Sequence, residues 1–329
     1  MKHWTEPNGI FILNIPIEWK AKNSINQDGE NGSPYCFELY NEPVGCFQIS
    51  CYPLDEKKIN PNLPLQNNNS EIEWTFTQQD DEKFITLLFG AQIDDHLCFA
   101  KYIYSKRDES KKKIFDELEK VNTVLKTFRL IPKEDRHCAC DLDKYDNFLM
   151  SLCASYDLLY NAIESESFIE ILVVSANQID AFLRLSIILF KQISKTTNQI
   201  ETKYLFQREN ESGITERKIY SEANELRIID NSLNEELNNL YDLRNRVIHR
   251  YIISYLKTRD IIKISYDYLV LHEKVRLVLR RLEQQQATIG IGIYGQGVKS
   301  FNDFDDTDRR MAYSYANDKH LYDKLERKL

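Results

Sequence analysis

Several absences bound this chain before any motif is read. No uninterrupted apolar run in its 329 residues approaches the roughly 18 to 20 needed to cross a bilayer, which argues against a membrane span. The opening residues, Met1-Lys2-His3-Trp4-Thr5-Glu6-Pro7, lack the apolar core of a secretory signal. Without export, the seven cysteines are expected to remain free thiols in a reducing cytoplasm. Positive charge is also short: the net charge of −8 excludes a protein that coats nucleic acid indiscriminately. No internal repeat is visible. Gly290, Gly292, Gly295 and Gly297 precede Lys299-Ser300 without the Gly-x-x-x-x-Gly-Lys-Ser/Thr spacing of a phosphate loop.

What is present divides the chain in two. Residues 9–130 carry short β-prone runs, among them 10–13, 36–40, 46–52, 72–76, 84–89 and 97–104, several of which alternate apolar and polar positions. Asn60-Pro61-Asn62-Leu63-Pro64 and the following Gln66-Asn67-Asn68-Asn69-Ser70 read as a loop. Asp108 is placed to cap a helix reaching about Phe128, with Ile114, Leu118, Val121, Val124 and Leu125 on one stripe. The expectation is an α+β domain over 1–133, an antiparallel sheet with a closing helix. It loosely resembles the PsbP/Mog1-like α/β sandwich, which implies a sensing or binding module.

Residues 131–136 read as a linker leading into His137-Cys138-Ala139-Cys140. Cys-x-Cys is a poor zinc spacing, and no second ligand pair follows, so no metal site is expected. Beyond residue 141 the period becomes helical. Helices are expected at 143–165, at 167–194 (strongly apolar), from about Tyr220 to Leu256 with a break near Asn231-Ser232, and from about Tyr266 to Gln286. This predicts a four- to five-helix bundle over 141–287. The glycine-rich, charged tail of 288–329 is either disordered or docked on a partner.

Charge and chemistry concentrate in the third of these helices. From Arg244 to Arg281 ten Lys or Arg face only Asp260, Asp267 and Glu273. Leu240, Tyr241, Val247, Ile248, Tyr251 and Ile252 form an apolar stripe, and Arg244 falls within it. A guanidinium turned toward a core requires an anion or a polar cleft, because its charge is costly to bury alone. At 100° per residue Asn245 and His249 lie about 40° apart, whereas Arg244 and His249 lie about 140° apart. One straight helix therefore does not aim both at one small ligand, but two copies meeting across a two-fold axis could. On the preceding apolar helix Asn177, Asp180 and Arg184 share a polar strip, as an ion pair or as a cleft lining.

The run Arg244-Asn245-x-x-x-His249, between amphipathic helices, resembles the HEPN superfamily of ribonucleases. Arg244-x4-His249-x-Tyr251 also resembles the motif of HEPN toxins paired with nucleotidyltransferase antitoxins. The resemblance covers roughly residues 141–287 and implies metal-independent cleavage of RNA by its own 2′-hydroxyl, with no cofactor. His249 would be the base, Arg244 the cation on the phosphorane and Asn245 an orienting residue, with Tyr251 a modification target. It further implies a homodimer, a toxin or defence role, and an inhibitory antitoxin or activating partner; the short apolar runs separately argue for no membrane partner. Two rival readings remain open: a catalytically silent HEPN dimer serving as scaffold or nucleotide-binding module, and an antitoxin or immunity protein working through its N-terminal half.

Overall fold

In the computed structural model, the described residues are 1–22, 33–54, 63–68, 71–109, 112–207, 211–300 and 303–320, the side chains of 316–320 excepted. Two compact units separate within it, Met1–Asp143 and Lys144–Ala316.

The first unit is built from antiparallel strands whose side chains alternate in burial, as one-sided sheets require. One sheet joins β1 (Lys2–Thr5), β2 (Phe11–Ile15) and β10 (Arg129–Leu130) in the order β1-β2-β10. The second contains β3 (Trp19–Ala21), β4 (Tyr35–Leu39), β5 (Gly45–Pro53), β6 (Leu65–Gln66), β7 (Thr75–Asp80), β8 (Phe84–Ile93) and β9 (His96–Ser105). Its order is β3-β4-β5-β9-β8-β6, with β7 also on β8. Among the described residues, only the two-residue β6 runs parallel to its neighbour. The helix α1 (Lys112–Thr127) buries Ile114, Val121, Val124 and Leu125 against the sheet residues. Its buried Glu117 accepts a 2.7 Å hydrogen bond from the Trp19 indole.

Sequence and structure differ here in detail. Asp108 does not cap α1; it lies in a 3-10 turn, Lys106–Asp108, and the helix begins at Lys112. The strand expected at 72–76 starts at Thr75, and Leu65–Gln66 pairs with β8 inside the segment read as loop. The rest of that loop at 60–62 and 69–70 lies outside the described residues.

The helices expected beyond residue 141 appear with shifted bounds. The first, α2 (Arg136–Glu164), starts well before residue 143, so His137-Cys138-Ala139-Cys140 forms its opening turns and is not a linker. Cys138 is exposed, and the His137 ring pairs with Asp141 one turn on, at 3.3 Å. Among the described residues no group of His, Cys, Asp or Glu is arranged to hold a metal ion.

The apolar helix α3 (Phe168–Lys195) is the centre of the unit. By length and composition it could cross a membrane, which counting uninterrupted runs did not anticipate; 67% of its most apolar window is buried inside the protein. It packs chiefly against α6 (Thr258–Ile289), with α4 (Glu216–Glu225) and α5 (Asn231–Arg250) alongside. The helix expected from Tyr220 is interrupted close to the break expected near Asn231-Ser232: α4 ends at Glu225 and α5 begins at Asn231. Arg227 takes a left-handed backbone (φ 59°) after α4, and Asp230 caps α5 by accepting from the Leu233 N–H at 2.8 Å.

The glycine-rich segment is ordered and packed. Gly290 ends α6 in the left-handed region, and Gly292 (φ 77°) lies where a Cβ would strike the Gln286 amide. These glycines permit a short turn, α7 (Gly292–Gly295), whose Ile293 and Tyr294 are buried. A last helix, α8 (Asp306–His320), follows.

Candidate functional site

Arg244 sits on the inner side of α5, and the anion it requires is Glu216 in the first turn of α4. One guanidinium nitrogen, Nη1, donates to both Glu216 oxygens at 2.6 and 2.9 Å, and Nη2 donates to Asn245 Oδ1 at 3.3 Å. The pair is largely shielded, with the Arg244 side chain 13% and the Glu216 side chain 16% exposed. Burial opposes the charge on Arg244, but Glu216 outweighs it and holds the guanidinium protonated above its ordinary range. The guanidinium also lies 4.7 Å from the Tyr241 ring centre. Arg217 approaches the same ring at 4.6 Å and pairs with Asp242.

This ion pair belongs to a buried polar cluster. The Tyr220 hydroxyl donates to Glu216, and burial together with that carboxylate pushes the phenol well above its usual range. Tyr268, from α6, feels both Arg244 and Glu216, and burial raises its pKa too. Asp180 is within the field of the same two charges; burial raises its pKa despite Arg184. Arg184 Nε donates to Asp180 at 2.6 Å, and its other nitrogens donate to the carbonyls of Tyr204 and Ile214. Asp180 and Arg184 on the polar strip of α3 therefore form an ion pair, and Arg184 also holds the backbone at Tyr204 and Ile214. Asp180 Oδ1 and the Tyr268 hydroxyl are buried without a hydrogen-bond partner.

His249 stands elsewhere. It lies in the last turn of α5 and is exposed, as are Arg246 and Arg250. Among the described residues no hydrogen bond or ion pair joins it to Arg244 or Asn245. Tyr251 is the C-cap of α5, 38% exposed, and opens the turn that follows. The structure thus brings Arg244 and Asn245 together and leaves His249 and Tyr251 on the rim. Within one copy, Arg244 is paired with Glu216 and His249 faces solvent apart from it. Glu216 was missed in the sequence: it is 28 positions from Arg244, and only the demand for an anion pointed to it.

No protein-family model matches the chain, and no curated protein matches it. A solved protein from Bacteroides thetaiotaomicron VPI-5482 aligns with 55% of this chain and 76% of that one, at 12% identity and a TM-score of 0.28. At that score no common fold follows.

Proposed function

We propose that this chain is a metal-independent endoribonuclease of HEPN type, acting as a toxin or defence effector, with a site completed by a second copy. The observation that carries this reading is the arrangement on α5: a shielded, oriented guanidinium at Arg244 and an exposed imidazole at His249. A second copy has a face available. Tyr160, Ile163, Ile169, Tyr266 and Val270 are exposed apolar residues on α2, α3 and α6, beside the small cluster of Leu159, Ala162 and Ile171.

In this reaction His249 takes the proton of the RNA 2′-hydroxyl, and the 2′-oxygen attacks the adjacent phosphorus. Arg244 balances the charge gathering on the phosphorane, with Asn245 fixing the guanidinium plane. The bond to the 5′-oxygen breaks, solvent supplies the proton to that oxygen, and a 2′,3′-cyclic phosphate remains. Arg244 must release part of its hold on Glu216 to donate to a phosphate oxygen. That same ion pair favours a second reading, a silent HEPN dimer in which Arg244 is only structural. Cleavage of single-stranded or transfer RNA in EDTA, abolished by His249→Ala and by Arg244→Ala, supports the enzyme. Cleavage unchanged in both variants removes the site assignment.

A further inference from the structure

The turn between α5 and α6 has no role in the chemistry above. From Arg250 to Lys257 it reads Arg-Tyr-Ile-Ile-Ser-Tyr-Leu-Lys. Its centre is given to solvent: Ile252 is 93% exposed, Ile253 82% and Tyr255 100%. Turns ordinarily carry polar residues, and contiguous exposed apolar side chains mark a contact surface. The flanking cations Arg246, Arg250, Lys257 and Arg259 are exposed as well, and no acidic residue occurs between Asp242 and Asp260.

Ile252 and Ile253 stand between Tyr251 and Tyr255, with Ser254 and Leu256 interspersed and Arg250 and Lys257 at the two ends. These are the residue types a membrane interface takes up: aliphatic carbon below the headgroups, tyrosine among them and Lys or Arg at the charged surface. We propose that this turn docks the protein onto an anionic lipid bilayer, with Ile252 and Ile253 inserted and the four cations against acidic headgroups.

Lipid fits this surface better than the alternatives. A narrow turn offers too little face for the roughly 800 Å² per partner that a stable protein interface buries. Single-stranded RNA would stack on the tyrosines and leave both isoleucines in water. The attachment is peripheral, because α3, the one described helix apolar enough to span, is mostly buried in its own unit. A membrane partner departs from the expectation drawn from the sequence, which counted apolar runs and gave no weight to a four-residue tip.

The test is co-sedimentation of the full chain with vesicles of phosphatidylcholine containing roughly a third phosphatidylserine, against phosphatidylcholine alone. The protein should pellet with the acidic vesicles only, and added salt should release it. Ile252→Asp combined with Ile253→Asp should weaken that binding by ~10-fold or more. Arg250→Glu with Lys257→Glu should do the same, and circular dichroism of both should match the parent because these side chains are exposed. Wild-type protein that stays in the supernatant overturns the proposal, as does unchanged vesicle binding in the isoleucine variant. If that variant instead loses self-association or RNA retention, the turn belongs to a second copy or to RNA.

Discussion

Replacing Glu216 with Gln keeps the shape of the side chain and removes the negative charge that faces Arg244. Breaking a fully buried pair costs about 3–5 kcal/mol, because the remaining charge is left uncompensated. Here the two side chains are 13% and 16% exposed, and Arg244 keeps the Tyr241 ring and the Asn245 oxygen. Residual solvation and those contacts reduce the expected loss to about 2 kcal/mol. Arg244→Gln leaves Glu216 with the Tyr220 hydroxyl as donor and should cost about 1–2 kcal/mol. The double variant should be little worse than either single one, giving a coupling of about 1.5 kcal/mol.

The chain provides a clean assay for this cycle. Its three tryptophans, Trp4, Trp19 and Trp74, all lie in the first unit, whereas most helix lies in the second. Urea unfolding followed by far-ultraviolet circular dichroism therefore reports the helical unit, and tryptophan fluorescence serves as an internal control. With a slope of about 2 kcal/mol per molar urea, the Glu216→Gln midpoint should fall by about 1 M. The fluorescence transition should stay in place. A coupling below about 0.5 kcal/mol would refute the claim that Glu216 holds Arg244.

Three other predictions follow from buried groups. His272 lies between Tyr156 and Phe182 with Nε2 unpartnered, and burial lowers its pKa from 6.5 to about 4. The unfolded chain then binds a proton that the folded one refuses, so stability is complete above about pH 6.5. Roughly 3 kcal/mol is lost as pH falls toward 4, and His272→Phe should flatten that dependence in urea titrations run at several pH values; an unchanged slope counts against it. Glu117→Ala strands the Trp19 indole N–H in the core and should cost about 2–3 kcal/mol by fluorescence-detected unfolding. A loss under about 0.5 kcal/mol would contradict the bond's role. With a thiol reagent, exposed Cys138 should react first. Cys98, raised by its hydrogen bond to Cys51 and by burial, and Cys153, pushed by burial to about 12, should react only on unfolding. Labelling of either as fast as Cys138 would be inconsistent with this packing.

The sequence showed some of this plainly. Runs of apolar, β-branched and aromatic residues made β8 and β9 legible, and the stripe from Ile114 to Leu125 marked the buried face of α1. The short strands β1, β3 and β10 were invisible, because two to four residues carry no period and are defined only by their partners. At the start of α2 the cysteines drew attention to ligand spacing, although nothing after Pro132 breaks a helix. The glycines near residue 292 read as flexibility, yet they serve left-handed backbone and close packing on Gln286. At the candidate site, helical angles separated Arg244 from His249 without coordinates. Glu216 stayed hidden because an ion pair across 28 positions leaves no local trace.

The central claim is that two copies share one site, and mixing inactive variants tests it most directly. Arg244→Ala and His249→Ala proteins, each folded by circular dichroism, should fail separately to cut RNA in EDTA. After joint unfolding and refolding, mixed dimers pair the intact Arg244 of one chain with the intact His249 of the other, and cleavage should return. A mixture as silent as its components, beside an active wild type, would contradict the shared site.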